Sequence, residues 1–154
     1  MITIEEQETA LTPILESIAG IVKHFTDFPD ALQPSQLPCL ITVAGEATYD
    51  RETYGADSLL IRRRWEAVLL IRLSDEVREF QSEQETKPFL TAIPLALAAH
   101  PVITLDDERS FQLELHQGGD RGARAVRYNN NSYAGSVFSF FTIVEDTVEP
   151  IDAL

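Results

Sequence analysis

Hydrophobic and polar positions alternate along IRRRWEAVLLIRLS, residues 61–74. Ile61, Trp65, Ala67, Leu69, Ile71 and Leu73 share one parity, broken only by Arg63, while Arg62, Arg64, Glu66 and Arg72 share the other. Period two sends successive side chains to opposite faces of a sheet, so the stretch predicts a β-strand. Val68 and Leu70 interrupt the polar face, which predicts a strand centre covered on both sides and wetter ends. This is the longest alternating stretch and it holds the single Trp, so it is expected to be the central strand.

The pattern elsewhere changes period. Leu11, Ile14, Leu15, Ile18, Val22 and Phe25 recur at three-to-four spacing and predict an amphipathic helix over 3–25, opened by a Thr3/Glu6 capping box and locally weakened by Pro13 and Gly20. Residues 26–38 carry three prolines and read as a loop. Leu37–Thr48 reads as a strand, and Tyr49–Leu60 as a long connection or extended hairpin into the central strand. Phe89, Leu90, Ile93, Ala96 and Leu97 give a second helix over about 82–99, kinked at Pro94. Phe111–His116 alternates as a half-buried strand, Gln117–Gly122 is a turn, Ala123–Tyr128 returns, and Asn129–Ser132 turns again. Tyr133–Glu145 is a second long strand, followed by an acidic tail over 146–154. The order predicts a single α+β domain, with a mixed or antiparallel sheet flanked by two helices. Trp65, Leu69, Ile71, Ile14, Ile18 and Phe138 are the expected core.

Composition narrows the partners. At 154 residues, 44% hydrophobic and 24% charged, the chain has the make-up of one globular domain. No apolar run approaches the roughly 18 residues of a membrane span, and MITIEEQET lacks the apolar core of a secretory signal. The single Cys39 excludes an intrachain disulfide and fits a reducing compartment. A net charge of −13 opposes wrapping nucleic acid or lying on an anionic membrane. Only two of the twelve basic residues are Lys, and an Arg-biased surface suits ion pairs at subunit contacts, with genomic composition as the plain alternative.

Candidate chemistry is sparse. His24, His100 and His116 lie far apart and outside any metal-binding spacing, so each is expected at a helix end or on the surface. Cys39 sits in an apolar run and reads as a buried, inert thiol. Gly118-Gly119-Asp120-Arg121-Gly122 lacks the spacing of a phosphate loop and reads as a hairpin turn. Asp106-Asp107-Glu108 lacks the alternating ligands of a calcium loop and reads as a solvated turn. No catalytic set, cofactor motif or metal site is expected, and the chain is not expected to be an enzyme. Arg62, Arg63 and Arg64 form the one basic cluster, the candidate subunit contact. The adverse net field favours carboxylate partners over DNA, whether within the chain or across an interface.

The layout resembles the tail terminator (tail completion) proteins of long-tailed bacteriophages across most of residues 4–145. The likeness rests on the N-terminal amphipathic helix, Leu37-Pro38-Cys39-Leu40-Ile41-Thr42-Val43 with the following Gly45, the long strand around Trp65–Leu73, the helix near Pro88–Ala99 and the closing Tyr133-Ala134-Gly135-Ser136-Val137-Phe138 strand. Arg62–Arg64 and Asn129–Asn131 have no assigned counterpart in that family. The resemblance implies a hexameric ring in the virion at the tail–neck junction, assembled in the host cytoplasm. It would cap the tube, end its polymerisation, and contact tube protein and neck or head-completion proteins. DNA would pass through the channel without specific binding. Another neck or head-completion connector ring is the alternative, and a small-molecule-binding domain or enzyme is an alternative of a different class.

Overall fold

The computed structural model describes residues 1–50, 58–73 and 79–147, with only the backbone for 79–82. The expected chain reversal within Tyr49–Leu60, the end of the central strand at Ser74 and the tail beyond Thr147 therefore lie partly or wholly outside the described residues.

The elements run α1 (Ile4–Glu16), β1 (Lys23–Phe25), a 3-10 turn (Pro34–Gln36), β2 (Cys39–Asp50), β3 (Ser58–Leu73), α2 (Glu79–Ala98), β4 (Val102–Thr104), β5 (Ser110–Asp120), β6 (Arg124–Tyr128) and β7 (Asn131–Thr147). The strands form one curled sheet in the order β1-β2-β3-β7-β5-β4, with β6 paired to β7. Among the described residues, only β1 and β2 pair in parallel; the other pairings are antiparallel. The α+β expectation holds, and β3 is the central strand as its alternation predicted. Among the described residues, no helix is long and apolar enough to cross a membrane.

Both helices cover the same face. Leu11 and Leu15 of α1 and Phe89, Ile93 and Leu97 of α2 pack on Trp65, Ala67, Leu69 and Ile71 of β3 and on Phe138, Phe140 and Val144 of β7. A second, smaller cluster lies on the opposite face, where Cys39, Ile41, Leu70 and Tyr133 meet Phe25, Leu32, Leu37, Val68 and Val126. Phe28 also stacks on Tyr128 at a centroid distance of 5.8 Å, and Tyr128 donates to the Pro29 carbonyl. The loop that joins parallel β1 to β2 thus crosses this face and covers one end of it. Val68 and Leu70 are explained by that cover, which sits at the C-terminal end of β3 and not at its centre.

The first helix is shorter than its apolar stripe suggests. The capping box forms as expected: Glu6 N–H donates to Thr3 Oγ1 at 3.1 Å, and Thr3 N–H donates to Glu6 Oε1 at 3.2 Å. The helix nevertheless stops at Glu16, and Gly20 turns the chain with φ +93°, a conformation open to glycine at little cost. Ile18 is buried from the turn, and residues 23–25 then enter the sheet in parallel pairing with Cys39–Ile41. Ile14 is only half-buried and Val22 is exposed, against expectation. β5 runs through the predicted turn to Asp120, so that the chain reverses only around Arg121–Gly122. Asn129 and Asn130 adopt φ 50° and 65°, as the turn before β7 requires. β7 continues two residues into the expected tail.

One contact fixes the register of the two longest strands. Gly135 faces a bulge where β3 slips between Leu70 and Arg72, and a Cβ there would lie 1.8 Å from the Leu69 carbonyl oxygen. Only glycine admits this approach. Gly135→Ala is expected to lower stability by about 3 kcal/mol or more, since the strands must part to relieve the clash. Leu69→Ala, at a fully buried site, is expected to cost about 2–5 kcal/mol. Urea midpoints check both; a midpoint matching wild type for either would show that β3 and β7 are paired differently.

Candidate functional site: the uncovered sheet face

Beyond the covering loop, no described residue packs over the face opposite the helices. Antiparallel register sets its side chains in rows: Arg62 opposite Ile143, Arg64 opposite Phe141, and Glu66 opposite both Ser139 and Val43. Glu114 of β5 continues the Phe141 row. Phe141, Ile143, Val43 and Ser139 are half-buried, so they are crowded by their neighbours but not roofed.

The charges here are arranged in pairs. Arg62 Nη2 lies 3.2 Å from Glu114 Oε2, and its guanidinium stands over the Phe141 ring at 4.0 Å. Stacking and ion pairing together orient this planar cation better than either alone. Arg64 reaches Glu66 at 3.6 Å, Glu46 at 3.9 Å and the Ser139 hydroxyl at 3.5 Å, all long contacts, and its buried Nε has no partner. Arg121 approaches Glu66 from the turn after β5 at 3.7 Å. His116 also packs against Phe141, ring centroids 4.8 Å apart, and accepts from Gly118 N–H at 2.7 Å. Such half-exposed pairs contribute little to folding, so their conspicuous feature is the surface they make.

The arginine cluster is divided by the strand. Arg62 and Arg64 lie on the bare face, whereas Arg63 shares the parity of Trp65 and donates to the Gly45 carbonyl at 2.8 Å. Gly45 is at the β2 bulge between Ala44 and Ala47, and a Cβ there would meet the Arg64 carbonyl at 2.9 Å. Arg63 therefore serves the local backbone, and two of the three predicted residues remain for a contact. Sequence alone missed Phe141, Glu114, Arg121 and Ser139; cross-strand neighbours are not adjacent in the chain.

Other candidates fall where the fold needs them. Asp106 accepts from the backbone N–H groups of Glu108 and Arg109, and Arg109 bridges Asp106 and Glu6 at 2.7 Å each. The hydrogen bond from Arg109 holds the Asp106 carboxyl below its usual range. Asp106-Asp107-Glu108 is thus a turn tied to the start of α1. Burial pushes the Cys39 thiol up to about 12, far from thiolate chemistry. No group of three or more His, Cys, Asp or Glu able to hold a metal occurs among the described residues. A cavity of about 520 Å³ opens between Pro38, Leu73 and Phe89, with the Arg72–Glu85 ion pair at its wall.

His24 corrects the expectation of a histidine at a helix end or on the surface. It is buried, with Nδ1 2.8 Å from Thr12 Oγ1 and Nε2 2.7 Å from Thr42 Oγ1. Thr12 directs its proton to the Glu8 carbonyl at 3.1 Å, which assigns the ring proton to Nδ1 and leaves Nε2 to accept from Thr42. Burial lowers the His24 pKa from 6.5 to about 4, against a smaller opposing pull from Glu16.

Comparison with protein-family models finds no match, and comparison with curated proteins finds none either.

The depressed His24 pKa means that the unfolded chain binds a proton before the folded chain does. Stability therefore falls as pH drops below 6.5, by about 1.5 kcal/mol on reaching roughly pH 5. Urea titrations across that window check it, and His24→Gln should flatten the slope. An equal slope in that variant would place the effect elsewhere.

Proposed function

We propose that the chain is a structural subunit of a phage-type ring that caps a tail tube, ends its polymerisation and joins tail to head or neck. The observation that carries this reading is the bare sheet face around Arg62, Arg64 and Phe141. It mixes arginine, an aromatic ring and half-buried aliphatic groups, a composition suited to protein contact. The likeness of the helix–strand order to tail terminators supplies the class of assembly.

Charge supports the same reading. A chain of net charge −13 presents a repelling field to DNA, which suits a channel through which DNA must slide without sticking. Ring closure uses two different patches on each subunit, so the bare face would meet a different surface of the next copy.

The test adds purified tube protein to the chain and images tube ends. Capped ends of uniform structure are expected, and Arg62→Glu with Arg64→Glu should abolish capping. Binding to portal rings and not to tube ends would favour a neck connector instead. The chain is also expected to leave double-stranded DNA unshifted in gel mobility at physiological salt; tight, salt-sensitive binding would overturn the channel reading.

A further inference from the structure

The two ends of the strand order are finished differently. At one end, α1 packs beside β1 and β2, and the Glu16 carboxylate answers the His24 N–H at 3.4 Å. At the other end lies β4. Leu113 N–H donates to the Pro101 carbonyl at 3.0 Å, Leu105 N–H donates to that of Arg109 at 2.9 Å, and Ile103 stands opposite Phe111 between them. In an antiparallel ladder alternate residues bond across, so the N–H and C=O groups of Val102 and Thr104 point away from β5. Among the described residues none hydrogen-bonds to these four groups.

A groove of about 500 Å³ runs between this edge and α1. Ala10, Pro13, Ile103 and Leu105 supply its apolar lining, and Glu5 and Glu6 its acidic end. Arg109 takes Glu6 at 2.7 Å, whereas no described cation lies against Glu5. The helix itself contains Glu5, Glu6, Glu8 and Glu16 and no Lys or Arg. The groove thus joins an unsatisfied strand edge, an apolar wall and an unpaired carboxylate.

We propose that this groove binds an extended segment of a partner protein as an added strand on β4, the segment carrying Lys or Arg two residues before Val or Ile. Strand addition answers main-chain groups that no side-chain ligand matches as a set, and side chains then read the groove. An antiparallel segment bonded to Val102 and Thr104 sets one residue opposite Ile103 and another, two positions earlier, opposite Leu105. Both share the parity of Ile103 and turn toward α1. Arg109 fixes Glu6 at the Leu105 end, so Pro13, roughly 10 Å further along the helix, lies toward the Ile103 end. The residue opposite Ile103 therefore meets apolar surface, and the earlier one meets Glu5. An acidic residue there would face the charge of α1 without compensation. The groove is on the helix side of the sheet, across from Arg62 and Phe141, so the proposal goes beyond the ring reading and does not rest on it.

The probe is the peptide acetyl-Thr-Lys-Thr-Val-Thr-amide, titrated into the whole isotope-labelled chain and followed by amide NMR. Saturable shifts at Val102 and Thr104 are expected, with a dissociation constant between about 1 μM and 1 mM. N-methylating the two threonines that flank the valine, whose N–H groups face β4, should weaken binding at least about tenfold, and N-methylating the valine, whose N–H faces away, less than about threefold. These peptides leave the protein unchanged, so their result does not depend on a variant folding. Thr104→Pro removes an N–H that β5 does not use, a change an edge strand tolerates, and should also weaken binding about tenfold. Glutamate in place of the peptide's lysine should cost about two- to fivefold on the wild-type chain, and Glu5→Lys should invert that preference. Five outcomes would each overturn the proposal: no saturable shift up to about 1 mM, shifts confined to the Arg62–Phe141 face, equal loss whichever N–H is methylated, an unchanged charge preference in Glu5→Lys, or Val102 and Thr104 amides already protected from exchange in the free chain, since the edge would then be covered without a partner.

Discussion

The indole N–H of Trp65 must be answered in the middle of the core, and the architecture turns on how that is done. It donates to Thr142 Oγ1 at 2.8 Å, and the Thr142 hydroxyl donates onward to Gln7 Oε1 at 2.7 Å. All three residues are buried. An unanswered donor there would cost about 1–3 kcal/mol, so the relay constrains three elements at once. It sets β3 beside β7 in a register where Trp65 faces Phe140, and it draws α1 down onto the sheet through Gln7. A buried polar residue on the apolar stripe of α1 is thereby accounted for.

The two faces of the sheet follow from that placement. Once Trp65, Ala67 and Leu69 point to the helices, Arg62, Arg64 and Glu66 must point the other way, because the pleat admits no alternative. Val68 and Leu70 point the same way, yet they are roofed by the loop from Thr26 to Pro38, whose Leu32 and Leu37 pack beneath it. The loop is long enough to cover one end of the face only. The remainder, among the described residues, is a surface of paired charges around an aromatic ring.

Much of this was legible in the sequence, and where it was, the reason is local. Alternation located β3, the capping box located the start of α1, and the Asn129–Asn130 turn located the hairpin into β7, because each is decided by neighbours within a few residues. The end of α1 was not legible, since Ile18 in the turn after the helix and Phe25 in β1 both also fit the helical spacing. β1 and β4 were missed for a related reason: three residues each carry too little pattern, and they are strands only because a longer strand offers its edge.

The candidate site divides the same way. The sequence by itself determined that Arg62–Arg64 form the one basic cluster of an acidic chain and that period two would separate them. Tertiary structure alone decided which side of the sheet would be roofed, and so which arginines stay available. It turned Arg63 to the Gly45 carbonyl, set Phe141 and Glu114 around Arg62, and placed His24 between two threonines from different elements. Those partners lie up to 79 positions away along the chain. They meet only because strand pairing and helix packing bring them together, and no local pattern encodes that distance.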